Sequence, residues 1–457
     1  MKKTKISSCV LLVCAALAAP LAGASDLQSE LNHLRDSHPL LRASDFAAQA
    51  AQARESAAKA SWLPQVSLVV DGGTEEITTT NYNGSIPGTP ATTDLNRRKN
   101  GITIEQNLYN GGRTTATINM AGLAHEIKRV EYSAASQDVL LQAVVSYLQV
   151  LKGEILVKLA AYNEETTQKQ LDLERMRVQK GGGIIVDEMQ ASTRLQIVRE
   201  RRVVYEQDIR DALTTYEQVF GKAPDLAKFQ DLGVFAARMP QNLDEAIAMA
   251  ERTNPRLAAA KLAVSKAQQS IALEKAGFLP TLDLSLTHNR DKNAAGLYKK
   301  DENTALLKLS WNLLGGVQAN SLSKAAAFDQ MEATELEANA QRKTLESVRM
   351  AWNQYQKGVE RVALLDAATK SARTVMNGRK RLRDSGKETA LAVLDAEVEF
   401  FGILANKVNA MIEARIGSYR LLSAIGLLNI KELSLDAGTL EFPLRPIDEA
   451  ISELVKQ

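Results

Sequence analysis

The chain has 457 residues, of which 45% are hydrophobic, 24% charged and 5% aromatic, and its formal net charge is +2. This composition is too apolar for a disordered chain and too polar for a helical membrane protein. The balanced charge argues against a nucleic-acid-binding protein, which carries a surplus of basic residues on one face. It is compatible with a membrane-spanning β-barrel, and the length allows two or three domains.

Residues 1–24 predict a secretory signal peptide. Three lysines near the N-terminus precede an apolar run, and Ala22-Gly23-Ala24 has the small residues of a cleavage site. Both cysteines, Cys9 and Cys14, lie in this segment, so we expect an exported mature chain without disulfides. Beyond it, we expect no stretch that approaches the roughly 20 apolar residues of a spanning helix.

The remaining sequence contains the same plan twice. The stretch between His38-Pro39 and Leu63-Pro64 recurs, without gaps, between Asn254-Pro255 and Leu279-Pro280. Glycines recur further on at a similar offset. Such internal similarity predicts two structural repeats, residues 25–239 and 240–435, followed by a C-terminal tail at 436–457.

Each repeat predicts a helix, two strands, a very long helix and a return helix. The leading helix ends at Leu-Pro, because the residue before proline leaves the helical region. Alternating apolar residues then indicate strands with one apolar face, separated by polar segments that predict loops at 78–94 and 288–303. The predicted strands lie at about 65–72, 101–109, 281–288 and 304–313. The proline-free helices lie at 113–180 and 317–384, each about 100 Å long.

Four strands with one apolar face cannot close a barrel within one chain, and an open sheet of this kind is prone to aggregate. Three chains would supply twelve strands, enough to close a membrane barrel. The sequence therefore predicts a mainly α fold with a small β part that oligomerises. The competing interpretation is a soluble β-hairpin appended to a coiled coil.

Residues 386–396, from Gly386 to Asp395-Ala396, resemble the Gly-x5-Asp-Val-Leu-Asp-Ala signature of the TolC family of outer-membrane channels. The duplicated plan extends the resemblance over the mature chain, and Gly181 with Asp187 is the matching pair in the first repeat. The resemblance implies a homotrimer whose 12-stranded transmembrane β-barrel stands on a long periplasmic α-helical barrel. It places the protein in the outer membrane, with its helical part in the periplasm.

The resemblance also implies functional residues at the periplasmic tip. Asp395 matches a position whose carboxylates ring the closed pore, whereas Ala392 stands where some relatives have a second aspartate. Gly181, Gly182 and Gly386 would form the tip turns, near which a periplasmic adaptor docks. Considered alone, Asp395 is a solvated charge on a helix surface.

A second implied feature is a latch that holds the tip closed. Asp187 matches a residue that anchors such links in relatives, and its expected partners are the basic residues Arg379, Lys380, Arg381 and Arg383. Relatives have a tyrosine at the position of Arg383, which leaves the particular bond open. Without the resemblance, this basic run only complements the negative end of a helix dipole.

Other motifs indicate no chemistry. Residues 181–183 lack the Gly-Lys-Ser/Thr of a phosphate loop and lie between helices, so they predict a turn. The four histidines lack metal-ligand spacing, and we expect no enzyme activity, cofactor or metal. Tyr109 and Trp311 lie near strand ends, where interfacial aromatics and ordinary packing are equally good interpretations.

The function implied by the resemblance is that of an exit duct in a tripartite transport system. Its partners would be a periplasmic adaptor (a membrane fusion protein), an inner-membrane ABC or other transporter and the lipid of the outer membrane, with no nucleic acid. The poor context for lipidation around Cys14 favours type I protein secretion over the alternative, small-molecule efflux. A third possibility is a periplasmic coiled-coil scaffold that never spans a membrane.

Overall fold

The computed structural model describes residues 24–83, 86–226, 229, 239–294, 297–313 and 316–429. The predicted signal peptide, apart from Ala24, and the predicted tail at 436–457 lie outside these residues. The described helices are α1 (Ala24–Ser37), α2 (Pro39–Ala60), α3 (Arg113–Gln179), α4 (Ile185–Phe220), α5 (Leu243–Thr253), α6 (Pro255–Lys275), α7 (Gly316–Asp384) and α8 (Ala390–Ala424). The strands are β1 (Gln65–Thr79), β2 (Tyr82–Asn83), β3 (Ile86–Pro87), β4 (Ala91–Tyr109), β5 (Thr281–Ala294) and β6 (Leu297–Ser310).

The protein is mostly helical with a small antiparallel sheet, as the sequence predicts. Four strands form one sheet in the order β1-β4-β5-β6, and every neighbouring pair is antiparallel. Strands β2 and β3 form a separate two-stranded ribbon between β1 and β4. Only β1 and β6 lack a second neighbour in the larger sheet, so they are its two edges.

The strands are longer than predicted, and the two predicted loops are largely strand. Thr78 pairs with Thr92, and β5 continues beyond His288 to Ala294. Polar residues occupy both faces in these segments, so the apolar alternation that marks a half-buried strand is missing. The β-branched threonines nevertheless favour an extended backbone, and the ladder of backbone hydrogen bonds continues through them.

The helices form a wall rather than a globule. Helix α3 packs against α2 and α4 on one side and against α6 and α8 on the other, and α7 packs against α6 and α8. The wall therefore has α2 and α4 at one edge and α7 at the other. Because α2 leads into β1 and β6 leads into α7, the edges of the wall continue the edges of the sheet.

The main hydrophobic core lies between the two long hairpins. Leu148 and Ile155 of α3 and Leu404 and Ile412 of α8 are buried in one continuous cluster. Phe229 stacks on Tyr147 with ring centroids 4.2 Å apart and belongs to the same cluster. Burial of this apolar surface is the main force that holds the two hairpins together.

Two glycines mark close approaches of the helices, one in each long hairpin. A Cβ atom at Gly153 would lie 2.9 Å from Cβ of Ile209, and one at Gly358 would lie 3.1 Å from Cα of Ala414. No side chain fits between the helices at these points. Glycine therefore permits α3 to cross α4, and α7 to cross α8, in direct backbone contact.

One expectation about membrane spans is wrong. Within the described residues, α3 contains an 18-residue window that is apolar and long enough to cross a bilayer. However, 67% of that window is buried inside the protein. This burial is typical of a core helix, because the apolar residues of α3 face its helical neighbours.

Candidate channel wall and periplasmic tip

The sheet has one apolar and one polar face. On the apolar face, the registered residues Val66, Ile104 and Leu286 lie side by side across three strands. Leu307 and Leu309 extend the same face on β6, and both are more than 60% exposed. No other part of the described chain covers this face. A large exposed apolar surface of this kind marks contact with a membrane or a partner.

The opposite face is polar. Ser67, Thr103, Thr287 and Thr304 lie side by side across the four strands. The hydroxyl oxygens of Thr103 and Thr287 are 3.5 Å apart. An apolar face opposite a polar face is the pattern of a barrel with lipid outside and water inside.

The apolar face has a defined height. On β6 it runs from Leu309 to Ala305, about 13 Å of strand, and Trp311 extends it at the helical end to about 20 Å. The Trp311 side chain is exposed, and its Nε1 donates a hydrogen bond to the Phe278 carbonyl oxygen at 3.2 Å. An exposed indole with its polar atom bound inward suits a membrane interface.

Both tip turns use a glycine in the left-handed region to end a long helix. Gly181 has φ +70°, and the following Gly182 N–H donates to the Arg177 carbonyl at 2.9 Å. Gly386 has φ +74°, and the following Lys387 N–H donates to the Leu382 carbonyl at 2.9 Å. These bonds satisfy carbonyl groups that a helix end leaves free.

Asp395 does not stand alone at the tip. Its Oδ1 accepts a hydrogen bond from Nη2 of Arg194 on α4 at 2.8 Å, and both side chains are exposed to solvent. Sequence analysis did not identify Arg194. The two residues are 201 positions apart, and nothing in local spacing predicts that α4 and α8 meet at this point.

The basic residues of α7 have partners other than Asp187. Arg379 lies 3.5 Å from Oε2 of Glu388, and Arg383 donates to Oε1 of Gln170 at 2.6 Å. Within one described chain, the Asp187 carboxylate makes no ion pair. The reason is its position, because Asp187 lies on α4 at one edge of the wall and the basic residues lie on α7 at the other.

Two further basic residues differ in their surroundings. Nζ of Lys380 lies 2.8 Å from Oε1 of Glu397, a carboxylate that is only 2% exposed. Arg381, by contrast, donates a hydrogen bond to the carbonyl of Asn377 in its own helix, at 3.4 Å. Lys380 therefore compensates a buried charge, and sequence analysis missed Glu397 because a charged residue in a helix is normally solvated.

The tip of the first repeat carries an exposed apolar cluster. It surrounds the start of α4, and its members are between 56% and 66% exposed: Ile184, Ile185, Val186 and Met189. Isolated exposed apolar residues are ordinary, but four around one turn form a patch. The patch is a candidate contact for another protein.

A sheet with one apolar face, joined to a long helical wall that ends in narrow turns, is the architecture of an outer-membrane channel protein. The chain belongs to the outer membrane efflux protein family, whose model matches residues 31–222 and 246–427, and it is a TolC-family outer-membrane channel. It lies in the outer membrane with its helical part in the periplasm.

Individual relatives agree with this assignment. The chain is 24% identical over 446 residues to the outer membrane protein TolC of Escherichia coli, covering 94% of this chain and 88% of TolC. It is 23% identical over 332 residues to the alkaline protease secretion protein AprF of Pseudomonas aeruginosa, covering 70% and 69%. The fold matches the solved outer-membrane channel OprN with a TM-score of 0.74 at 16% identity, covering 88% of this chain and 91% of OprN.

Proposed function

We propose that three copies of this chain close into one duct through the outer membrane and periplasm. The duct would serve as the exit of a tripartite transport system, fed by an inner-membrane transporter through a periplasmic adaptor. The proposal rests on one observation: each open edge of the sheet continues into an open edge of the helical wall. Strand β1 and helices α2 and α4 form one open edge, and β6 and α7 form the other.

Both edges expose apolar side chains along the helical wall. On α7 these include Phe328, Met331 and Leu336, each more than half exposed. On the opposite edge, Phe46 of α2 and Val203 of α4 are similarly exposed. A cyclic arrangement pairs β6 with β1 of the next copy and covers both apolar edges, whereas a single chain leaves them in water.

Closure by three copies gives twelve strands and a ring of twelve helical rods. At about 10 Å between helix axes, the ring has a circumference of about 120 Å and a diameter of about 38 Å between opposite axes. Subtracting a helix diameter of about 10 Å leaves a bore of about 28 Å. Such a bore admits an extended polypeptide or a small molecule in water.

The trimer is tested by the mass of the protein purified in detergent, with bound detergent subtracted. We expect about three times the mass of one mature subunit, which is the 49.8 kDa of the full chain less the predicted signal peptide. Phe328→Glu, which places three carboxylates in the proposed seam, should release single subunits, whereas the neighbouring exposed Asp329→Asn should not. A wild-type mass of one subunit would refute the proposal.

Type I protein secretion is the transport system that we propose, supported by the similarity to the protease secretion protein AprF. Efflux of small molecules is the second candidate, supported by the description of the family. A deletion strain distinguishes them. Loss of one secreted protein without drug sensitivity supports secretion, and drug sensitivity with an unchanged set of secreted proteins supports efflux. The family's outer-membrane location argues against a periplasmic scaffold.

At the tip, we propose that Asp395 lines the constriction as a ring of carboxylates, each paired with Arg194. The latch would join Asp187 of one subunit to Arg379 or Arg383 of its neighbour, because the α4 and α7 edges meet only between subunits. An adaptor would dock at the turns formed by Gly181, Gly182 and Gly386. Several weak ion pairs suit an entrance that must open, since exposed pairs contribute about 0–1 kcal/mol each.

A further inference from the structure

The apolar band crosses the sheet obliquely. On β1 the band is centred on Leu68, whose registered counterpart across the sheet is Asn303 on β6. On β6, however, the exposed leucine at the centre of the band is Leu307, four residues nearer the helices. The band therefore falls by about 13 Å across three strand spacings of about 4.8 Å, a slope of about 43°. Strands of a closed barrel tilt by about 35–45°, so a band that is level in the membrane crosses its strands obliquely.

The tilt limits how β6 of one copy can pair with β1 of the next copy in the proposed duct. Outward residues lie opposite outward residues, so the possible registers differ in steps of two residues. Leu68 opposite Leu307 gives a tilt of about 35°, the lower-tilt register, and Leu68 opposite Leu309 gives about 46°, the higher-tilt register. One step beyond these, the tilt is about 19° or about 54°, outside the range of closed barrels. Two registers therefore remain.

Charged side chains distinguish these two registers. The lower-tilt register places Glu75 opposite Lys300 on the polar face. It also places Glu76 opposite Lys299 on the other face. These contacts are additional to those within one chain, where the Glu75 carboxylate already lies 3.9 Å from Arg97. Opposite charges on directly paired residues stabilise a sheet.

The higher-tilt register brings acids together instead. It places Glu75 opposite Glu302. It also places Glu76 opposite Asp301, so two pairs of like charges would destabilise each seam. The acids of β6 have basic partners in their own strand, and Lys300 lies 2.9 Å from Glu302. Those partners are present in either register, so the acids of β1 decide between the two.

The lower-tilt register also pairs the full length of β6. It aligns Gln65–Thr78 of β1 with Leu297–Ser310, which is the whole of β6. Val66 then lies opposite Leu309, so the apolar band continues from one copy into the next. The higher-tilt register leaves the first two residues of β1 without partners in β6. Since a membrane barrel satisfies its backbone groups by closure, complete pairing favours the lower-tilt register.

We propose that β6 of one copy joins β1 of the next with Leu307 opposite Leu68, and that acid–base pairs close each seam at the end away from the helices. The proposal rests on the proposed function, because it requires three copies in one barrel. It also sets the width of the barrel. Twelve strands about 4.8 Å apart and tilted by about 35° enclose a diameter of about 22 Å between opposite backbones, whereas the higher-tilt register would give about 26 Å.

Disulfide cross-linking tests the register directly. Both cysteines of the chain lie in the predicted signal peptide, so introduced cysteines are easily assigned. We expect Ser67→Cys with Lys308→Cys, or the adjacent pair Leu68→Cys with Leu307→Cys, to give covalent trimers on denaturing gels after oxidation. Both pairs are tested because adjacent antiparallel pairs alternate between a wider and a closer spacing, and the closer spacing suits a disulfide.

The matched controls move one cysteine by two residues: Ser67→Cys with Ser310→Cys, and Leu68→Cys with Leu309→Cys. These are the direct pairs of the higher-tilt register and only diagonal neighbours in the proposed one. We expect at least about fivefold less covalent trimer from the controls. Controls that link as well as the first pairs would overturn the register, and so would a detergent-purified trimer in which the first pairs do not link.

Reversal of one charge gives a second test, with opposite signs in the two registers. Glu76→Lys should repel Lys299 and make the trimer dissociate about fivefold faster in denaturing detergent. In the higher-tilt register the same substitution meets Asp301 and slows dissociation. Asp94→Lys is the control, because Asp94 pairs with Glu76 inside the sheet and should change dissociation by less than about twofold. Unchanged or slower dissociation of Glu76→Lys refutes the register alone, whereas wild-type protein with the mass of one subunit refutes the duct itself.

Discussion

The two periplasmic hairpins have the same arrangement of helices, but one tip exposes apolar side chains and the other exposes polar ones. The α3–α4 turn exposes the apolar cluster of Ile184, Ile185, Val186 and Met189, and Ile184 caps α4 without a side-chain hydrogen bond. At the α7–α8 turn, Oγ1 of Thr389 accepts a hydrogen bond from the Ala392 N–H at 3.2 Å. The residues around that turn are polar.

The difference follows from the place of each hairpin in the wall. Helix α8 lies between α3 and α7, so it buries residues from Ala390 to Ala424 on most of its surface. Helix α4 lies at an edge and buries few residues, among them Ala191 and Leu195 near the tip. The helix that follows the second turn is thus buried among its neighbours, whereas the helix that follows the first turn is available for contact with another molecule.

The largest expected effect concerns the buried ion pair of the second tip. Lys380→Ala leaves the Glu397 carboxylate buried without its cation, and we expect the free energy of unfolding to fall by about 3–5 kcal/mol. Denaturant unfolding followed by circular dichroism measures this change. The control is Arg175→Ala at the first tip, where the exposed pair with Glu188 should contribute about 0–1 kcal/mol. Equal losses in the two variants would contradict the comparison.

The next effect concerns docking. Ile185→Ser removes part of the exposed apolar cluster, and we expect affinity for the proposed periplasmic adaptor to fall about tenfold, as for a central interface residue. Conductance in planar bilayers should remain unchanged. Lys387→Ser in the polar second turn is the comparison, and it should weaken binding less than Ile185→Ser, because it removes no apolar contact surface. An adaptor that responds to Lys387 and not to Ile185 would reverse the assignment of the two tips.

A smaller effect tests the pair that joins the tips. Asp395→Ala should raise single-channel conductance and weaken block by divalent cations about fivefold, whereas Arg194→Gln should strengthen that block by a similar factor. The opposite signs follow because the guanidinium neutralises the carboxylate. Current recordings in planar bilayers with added divalent cations measure both. If neither substitution changes block, Asp395 does not line the constriction.

The smallest effect is a pH dependence of the α7–α8 hairpin. Hydrogen bonds from Lys370 and Lys407 lower the pKa of Asp366 below its ordinary value of 3.8. Its stabilising contribution is therefore complete above pH 3.8 and is lost as the pH falls through the lower, folded-state pKa. Asp366→Asn should cost about 1 kcal/mol or less at neutral pH and nothing in strong acid.

Glu164 is the counterpart of Asp366 in the α3–α4 hairpin. Burial raises its pKa, but hydrogen bonds from Arg199 and Arg202 outweigh burial and lower it. Glu164→Gln should therefore show the same dependence as Asp366→Asn in unfolding experiments across acidic pH. If a substitution still lowered the free energy of unfolding in strong acid, packing and not charge would explain the contribution of that residue.

The sequence predicts the order of the helices and strands, but it does not predict which side chains form ion pairs between helices. Strands β1 and β5 begin directly after the Leu-Pro pairs, although helices α2 and α6 end a few residues before those pairs, at Ala60 and Lys275. The full length of β1 and β4 could not be predicted, since threonines and charged residues hide the alternation there. The ion pairs of Asp395 with Arg194 and of Lys380 with Glu397 depend on which helices become neighbours, which local spacing does not specify.

The close helix crossings at Gly153 and Gly358 have a mechanical consequence. From Gly153 to the first turn, α3 extends 27 residues, or about 40 Å, and α7 extends a similar length beyond Gly358. Each hairpin tip therefore lies about 40 Å from the point where its two helices are in closest contact. A rotation of about 10° at the crossing would carry a tip sideways by about 7 Å, so a small change of angle at the crossing becomes a large displacement at the tip.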